Sequence, residues 1–343
     1  MQTNQSTAAK NLCQGRTGRE LFDATAPFVA EDRELSWWSL WSTFGILIAS
    51  LSLASLTNFL AIKLIFSTIS GLTMVRGFII YHDFLHGAIL KDSKLAKLMI
   101  YFYGMLLLTP PSSWRKSHNF HHAHVGQVED SHIGSFPIFT TEMWKEASWF
   151  TRVQYCVSRH WLTIVFAYFT VFFLNICVLP LFENTKKHLD SLLTIFVHFG
   201  FMALIWNFFG FEVLFFSFLL PLIIASTAGA YLFYAQHNAE GLHVIPDDEW
   251  SYQQASLESS SFLKTNALMN WFTGNIGYHH VHHLNSRIPF YNLPKAMESI
   301  PELQNPETTE LTFKEIFKCL NLKLWDADQS KMITFKEFNK LYT

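Results

Sequence analysis

The sequence predicts an all-α integral membrane protein with about four, and at most six, transmembrane helices and a cytosolic histidine-rich cap. Half of its 343 residues are hydrophobic and only 15% are charged, against about 25% in soluble domains. The apolar residues form long stretches, and about 20 such residues suffice to cross a bilayer. Histidines follow these stretches in clusters. The formal net charge of −2 gives no basic surface for nucleic acid, so we expect none as a partner.

The first 36 residues are a mixed polar segment, which we expect to be a cytosolic preface. They contain no short apolar core followed by a cleavage site, so we predict no signal peptide. Trp37 and Trp38 then look like an interfacial belt at the start of a membrane helix. We therefore divide the chain into a preface (1–36), a membrane domain (37–311) and a cytosolic tail (312–343).

The first two apolar stretches are adjacent and predict a helical hairpin. They run from Leu40 to Leu56 and from Phe59 to Tyr81, with the turn at Thr57 and Asn58. Lys63 lies near one end of the second stretch, where its long side chain can snorkel to the interface. Arg76 is deeper, and a charge there is costly unless it snorkels or faces other protein.

A shorter apolar run, Leu98–Thr109, stops at Pro110 and Pro111. Its length of about 12 residues favours a re-entrant or interfacial segment over a crossing. Trp114, Arg115 and Lys116 come next. They could receive an acidic electron donor or lipid headgroups, although an interfacial anchor is the simpler interpretation.

Three further apolar stretches lie between the second and third histidine clusters: Trp161–Leu181, Leu192–Phe209 and Phe211–Tyr234. One shared metal site requires all the clusters on one membrane face, so an even number of crossings must separate them. We expect two true crossings here, and the sequence leaves open which stretches make them.

Three histidine clusters suggest the chemistry. The first is a pair four residues apart, and the other two are trios spaced i, i+3, i+4, so on a helix each cluster projects from one face. Eight imidazoles exceed the three or four protein ligands of an ordinary zinc site, which indicates two metal ions. The members are His82 and His86; His118, His121 and His122; His279, His282 and His283. His280 would point about 100° away from the third trio, and we treat it as a candidate for supporting a ligand.

The tail contains a segment that partly matches a calcium loop. Asp326, Asp328, Ser330 and Glu337 occupy positions 1, 3, 5 and 12 of that pattern, but Lys331 stands where the loop requires glycine. We therefore predict a small β-hairpin and no calcium site.

At its histidines the chain resembles the membrane fatty acid desaturases, a di-iron family defined by three histidine boxes. HDFLHG, SHNFHH and NIGYHHVHHLNSRIPFYNLP are similar to the three boxes, and the last resembles that of bacterial acyl-lipid enzymes. The resemblance implies two iron ions, molecular oxygen and electrons from a ferredoxin-like or other external donor. It also implies that His237, in YAQHNAEG, is a ninth ligand, and that the protein lies in a bacterial inner membrane with its active site on the cytosolic side.

Two positions bear on the branch of the family. Stearoyl-type enzymes place an Asn, which holds iron through water, four residues before the residue that matches His237, and Phe233 stands there in this chain. Front-end enzymes replace the first histidine of the third box by Gln and carry a fused haem domain. Here that position is His279, and no such domain fits in the preface. The chain therefore looks more like the omega-6, delta-12 or bacterial delta-5 type.

The expected reaction removes two hydrogens from unactivated methylenes, which offer no acidic proton, so an oxidising metal centre is required. The substrate would be the acyl chain of a membrane lipid, preferred by resemblance, or an acyl thioester. Neighbouring carboxylates could orient the histidine rings, although solvated surface charges are an equal alternative. The candidates are Asp83, Asp130, Glu240 and Glu258.

Two other functions are compatible with clustered histidines. A membrane di-iron hydroxylase or ketolase that acts on a lipid or alkane uses similar boxes, and no residue separates it from a desaturase. A metal transporter would place ionisable residues inside its membrane spans. Here the clusters follow the spans, which counts against transport.

Overall fold

The computed structural model describes residues 15–127 and 135–342. Long apolar helices form a bundle, and short helices and strands form a cap at one end of it. The α-helices are α1 (Gly18–Ala24), α2 (Arg33–Leu56), α3 (Leu60–His86), α4 (Lys94–Leu106), α5 (Pro111–Ala123), α6 (Thr141–Glu146), α7 (Trp149–Ser158), α8 (Trp161–Val165), α9 (Leu179–Asn184), α10 (Leu189–Leu214), α11 (Leu220–Gln236), α12 (Tyr252–Glu258), α13 (Ala267–Phe272), α14 (His279–Leu284), α15 (Leu293–Ser299), α16 (Phe313–Asn321) and α17 (Phe335–Tyr342). Short 3₁₀ turns cover Ala26–Phe28 and Pro301–Leu303, and π-helical stretches cover Tyr168–Val178 and Phe215–Leu219.

Helices α2 and α3 form the predicted hairpin, and the turn lies where the sequence placed it. The side chain of Asp32 caps α2 by accepting from the backbone N–H of Leu35, so this helix begins within the predicted preface. The two helices pack together, with Ser70 Oγ donating to Ser50 Oγ at 2.7 Å. Gly87 ends α3 in the left-handed conformation (φ 71°), which glycine adopts at little cost.

The later apolar helix reverses direction at Gly210. Residues Leu189–Gln236 form a continuous apolar run. Gly210 interrupts it with non-helical angles, φ 83° and ψ 170°. Beyond this residue the chain folds back, because the ring of Phe218 lies 5.5 Å from the rings of both His198 and Phe201.

The second limb of this run lies parallel to α3. Lys63 pairs with Glu212, and Ser67 Oγ donates to the carbonyl of Phe216. The carboxyl ends of α3 and α11 therefore meet at the same end of the bundle. Of the three apolar stretches between the second and third histidine clusters, Leu192–Phe209 and Phe211–Tyr234 thus form an out-and-back pair.

By length and composition, three helices in the described part of the chain could cross a membrane: Arg33–Leu56, Leu60–His86 and Leu189–Gln236. The third contains both limbs. Helix α4, which covers most of the Leu98–Thr109 run, has 13 residues and is too short to span. The Trp161–Leu181 stretch is divided between α8, a π-helical stretch and α9. It is anchored by a 2.9 Å bond between Tyr168 and His198.

The chain is mostly helical, and the cap also contains two small sheets, one of which includes the β-hairpin predicted in the carboxyl-terminal segment. Strands β4 (Leu322–Asp326) and β5 (Lys331–Thr334) form an antiparallel hairpin, and β1 (Phe139–Thr140) pairs parallel to β4. Strands β2 (Phe262–Lys264) and β3 (Thr308–Glu310) form a parallel pair. Residues 322–326 of the predicted tail therefore pair with a strand that lies before α6.

In the hairpin that matches a calcium loop, the carboxylate of Asp326 accepts bonds from the backbone N–H groups of Asp328 and Gln329 and from the hydroxyl of Tyr342. The Asp326 carboxylate thus accepts bonds from two residues of the loop and from one residue of α17.

Lys63 and Arg76, the two cations of α3, both contact other parts of the protein. Lys63 does not snorkel: its side chain is buried against Glu212 and the ring of Phe216. Arg76 faces protein, which is one of the two alternatives that the sequence left open. Its guanidinium donates to Thr43 at 3.1 Å and to the carbonyl of Trp271 at 2.5 Å, and it lies over the Trp271 ring.

The main hydrophobic core extends from the bundle into the cap. It joins Leu40 and Met74 of the first hairpin to Leu222 of α11 and to Val281 and Phe290 of the cap. Because one core underlies both regions, the bundle fixes the position of the cap histidines.

Candidate metal centre

The first histidine pair lies on the last turn of α3. This helix remains regular up to His86, so His82 and His86 project from one face, and their Nε2 atoms are 3.2 Å apart. Asp83 Oδ1 lies 2.9 Å from the Nδ1 atom of His82. A carboxylate accepts, so Nδ1 carries the proton of the neutral ring and Nε2 presents a lone pair.

The second cluster lies on α5, which Pro110 and Pro111 begin, since proline suits the start of a helix. His118, His121 and His122 are all buried on it. This helix packs beside α3, and His118 Nε2 lies 3.0 Å from His82 Nε2.

The third cluster occupies the short helix α14, and His237 lies at the carboxyl end of α11. His279 Nε2 is 2.9 Å from His237 Nε2, and His282 Nε2 is 3.1 Å from His122 Nε2. The Nδ1–H of His237 donates to the carbonyl of Ser259 at 3.0 Å. That bond leaves Nε2 of His237 with a lone pair.

The nine histidines separate into two adjacent groups. Within each group, the candidate ligand atoms all lie within 4.8 Å of one another. The groups touch through His122 and His283, whose rings stack with centroids 4.3 Å apart. The five-histidine group contains His82, His86, His118, His122 and His282, and the four-histidine group contains His121, His237, His279 and His283.

Each trio is divided between the two groups, which explains the i, i+3, i+4 spacing. On a helix the residues at i+3 and i+4 diverge by about 100°. The i and i+4 members therefore join one group and the i+3 member joins the other. His121 therefore lies in a different group from His118 and His122. His282 likewise lies in a different group from His279 and His283.

The spacing of the nitrogens fits a metal ion in each group. Neighbouring Nε2 atoms are 2.9–3.2 Å apart. An ion about 2.1 Å from each nitrogen sets adjacent ligands of an octahedron about 3 Å apart. The lone pairs of His82 and His237 both point into their groups, where only a cation or a proton can satisfy them.

Burial keeps these rings neutral, which is the form that binds metal. Burial is the largest cause that lowers the pKa of the six box histidines outside the apolar helices, and it lowers the pKa of His237 to about 4. The pKa of each of these six histidines lies well below the ordinary histidine value. They are His118, His121, His122, His279, His282 and His283.

The candidate supporting residues differ in their positions. Asp83 contacts a histidine of the five-histidine group, as described. His280 is turned away, and its Nε2–H donates to the carbonyl of Leu303 at 3.0 Å. Glu240 forms an ion pair with Lys318 at 2.7 Å on the surface.

Glu258 lies 3.7 Å from His243, which belongs to neither group, and it accepts from Gln254. The contacts that the structure describes for Glu240 and Glu258 include none of the nine histidines, as expected for solvated surface charges. Asp130 lies outside the described residues.

Two aromatic residues beside the groups were not predicted. Trp114 is buried, not an exposed interfacial anchor, and its ring stacks on His118 with centroids 4.4 Å apart. Its position four residues before His118 was the available signal, because i and i+4 share a helix face. The Phe233 ring lies 5.0 Å from the ring of His121 and 5.5 Å from that of His237. The residue that matches the stearoyl-type asparagine thus forms an apolar wall.

Comparisons with known proteins agree with this geometry. The family model described as fatty acid desaturase matches residues 58–312. The chain is 33% identical to a fatty acid desaturase of Bacillus subtilis (strain 168), over 77% of this chain and 74% of that protein. It is 24% identical to an sn-1 oleoyl-lipid 12-desaturase of Picosynechococcus, over 94% of this chain and 93% of that protein. It is also 24% identical to an sn-1 acyl-lipid omega-3 desaturase (ferredoxin) of Synechocystis, over 69% of this chain and 66% of that protein. The match over most of the chain, together with the relative at 33% identity, shows that this protein belongs to the fatty acid desaturase family.

Proposed function

We propose that this protein is a membrane acyl-lipid desaturase that introduces a cis double bond into an unactivated acyl chain, at two iron ions held by the nine histidines. The observation that carries the proposal is the convergence of nine histidines, eight of them buried and His86 partly buried, into two adjacent groups. Imidazole ligands suit iron among the first-row metals, and the family is one of oxidoreductases.

Iron ions bound there, with molecular oxygen and external electrons, would supply the oxidising power that the reaction needs. In the overall balance, two hydrogens leave adjacent methylenes and oxygen is reduced to water, with two further electrons and two protons from outside. The name of the Synechocystis relative specifies ferredoxin, and we propose a similar small protein as the electron donor here.

The chain's own residues hold the site and protect it. Asp83 and the carbonyl of Ser259 each fix one ring so that its Nε2 faces inward. Outer contacts of this kind typically change metal affinity by 10–100-fold. The rings of Trp114 and Phe233 cover two sides of the histidine groups, which limits the entry of water.

We further propose that the long helices cross the bacterial inner membrane and that the histidines lie on the cytosolic side. The apolar lengths of α2, α3 and the two limbs joined at Gly210 support four crossings. An even number of crossings returns every histidine group to the end where the polar amino-terminal segment lies. The acyl chain of a membrane lipid reaches such a site from the bilayer, and two cyanobacterial relatives are named for lipid-linked substrates.

The activity test uses a host that accumulates saturated and monounsaturated lipids. Expression of the wild-type chain should produce new double bonds, measured by gas chromatography of fatty acid derivatives. The His121→Ala variant should reduce the product at least about 100-fold, because it removes a ligand from the four-histidine group. The His160→Ala variant is a matched control, since His160 is exposed and caps α8. A new hydroxy acid without a new alkene would contradict the proposal.

Metal analysis tests the centre separately from the activity. Protein purified in detergent and reconstituted with ferrous iron should contain about two irons per chain. Stoichiometric zinc alone, with no uptake of iron, would contradict the di-iron assignment.

A further inference from the structure

The carboxyl-terminal unit, which we define as Phe313–Tyr342, begins after the last residue that the family model matches, residue 312. This unit packs against the segment that carries His237. Cys319, on α16, is buried, and its thiol donates to the backbone carbonyl of Asn238 at 3.1 Å. A unit outside the matched region therefore contacts the residue next to a candidate metal ligand.

Asn238 is the centre of this contact. It is 1% exposed, and its side-chain amide donates to the carbonyls of Cys319 at 2.7 Å and Leu322 at 3.3 Å. Both carbonyls belong to the carboxyl-terminal unit. Its side-chain oxygen accepts from Arg159 at 2.6 Å. The amide is therefore fully used in joining two parts of the chain.

Arg159 completes the arrangement from the other side. It is 1% exposed and donates to the carbonyls of Pro137 at 2.8 Å and Leu322 at 3.3 Å, as well as to Asn238. The guanidinium lies over the ring of Tyr234, and its described contacts include no carboxylate. Burying a charge without a counterion is costly. An apolar side chain could fill the same space without that cost, so the fixed directions of the guanidinium donors are what distinguish arginine here.

The geometry points to a positioning role. We propose that Arg159 and Asn238 form a clamp through which the carboxyl-terminal unit holds His237 in the four-histidine group. His237 has no helix beyond it to fix its backbone, because α11 ends at Gln236. The side-chain hydrogen bonds of Asn238 instead fix the backbone at position 238, directly after His237. The inference rests on the proposed metal centre and concerns only one of its two groups.

The test measures the distribution of metal. Full-length Asn238→Ala, reconstituted with ferrous iron, should bind about one iron per chain where the wild type binds about two, because only the four-histidine group loses a ligand position. His237→Ala should give the same stoichiometry and marks the loss of that site. Mössbauer spectra of protein enriched in ⁵⁷Fe should show which iron environment remains, and it should be the same in both variants.

Asn321→Ala is the matched control. Asn321 lies in the same unit and its amide also donates to a carbonyl, that of Phe317, but it is exposed. This variant should retain about two irons per chain. If Asn238→Ala does not fold, Arg159→Lys applies the same test, since it keeps the buried charge but cannot reach all three acceptors.

Three results would overturn the clamp. The first is full iron content in the clamp variants, Asn238→Ala and Arg159→Lys. The second is equal loss of iron from the two iron environments in these variants, and the third is loss of iron in the control variant Asn321→Ala as well. A wild-type chain that binds no iron would instead refute the proposed metal centre, so the two failures are distinguishable.

Discussion

The carboxylate of Asp83 accepts a hydrogen bond from the ring of His82, its neighbour in sequence, at 2.9 Å. Its second oxygen accepts the backbone N–H of Phe290 at 2.7 Å. One buried side chain thus fixes a ring of the five-histidine group and attaches α3 to the segment that follows the third histidine cluster. The orientation of the metal ligand and the docking of the cap depend on the same carboxylate.

We expect Asp83→Asn to weaken metal binding by the five-histidine group about 10-fold. Asparagine can still accept from the His82 ring, but a neutral acceptor holds the imidazole less strongly and makes it less basic. Competition with a chelator of known affinity measures the change. Asp248→Asn, at an exposed position, should leave the affinity unchanged. Equal affinities of wild type and Asp83→Asn would show that this bond does not support the ligand.

We expect Arg76→Lys to lower the free energy of unfolding by about 2 kcal/mol, because lysine loses the stacking on Trp271 and one of two charge-assisted hydrogen bonds. Chemical unfolding in detergent, followed by tryptophan fluorescence, measures the loss. Arg115→Lys, at an exposed position, should change stability by less than about 0.5 kcal/mol. If Arg76→Lys also changed the free energy of unfolding by less than about 0.5 kcal/mol, the docking of the cap would not depend on this contact.

The sequence predicted the parts of the fold that depend on local periodicity. The α2–α3 turn and the helical spacing of the box histidines follow from hydrophobic length and from the i, i+4 rule. The even crossing count, which rests on requiring all the histidines on one membrane face, stays a prediction. The reversal at Gly210 was not predicted, because a single glycine between two apolar stretches gives no stronger signal than one inside a helix.

Contacts distant in sequence were the least predictable. Lys63 pairs with Glu212, and Arg159 holds Asn238, across more than 70 residues in each case. No local pattern specifies such partners, since they depend on how the helices pack. For Glu240 the sequence left a supporting role and a solvated surface charge as equal alternatives, and its side chain pairs with Lys318 on the surface.

The stability of the metal-free protein should fall on acidification below about pH 6.5, partly through His280. Burial lowers the pKa of His280 to about 4 in the folded protein, against about 6.5 when unfolded. Between these values only the unfolded chain takes up the proton, so unfolding becomes more favourable as pH decreases. At pH 5 the effect of this one ring is about 2 kcal/mol.

The His280→Gln variant tests that assignment. The glutamine amide can still donate to the carbonyl of Leu303 but does not titrate. Between pH 7 and pH 5 the variant should lose about 2 kcal/mol less stability than the wild type, measured by unfolding of both metal-free proteins. An identical pH dependence would show that His280 titrates normally in the folded state.

The reversal at Gly210 makes a prediction about backbone conformation alone. Its φ of 83° is a region that residues with a Cβ rarely adopt, and a Cβ there would meet no atom within 4 Å. Gly210→Ala should therefore destabilise the protein by about 1–2 kcal/mol through strain only. Gly200→Ala is the matched control, because Gly200 also has open space but lies within regular helix. Alanine there should stabilise by about 0.5–1 kcal/mol. Unfolding of both variants in the same detergent gives the comparison. If Gly210→Ala proved as stable as Gly200→Ala, the two limbs would be joined by a straight helix and the even crossing count would fail.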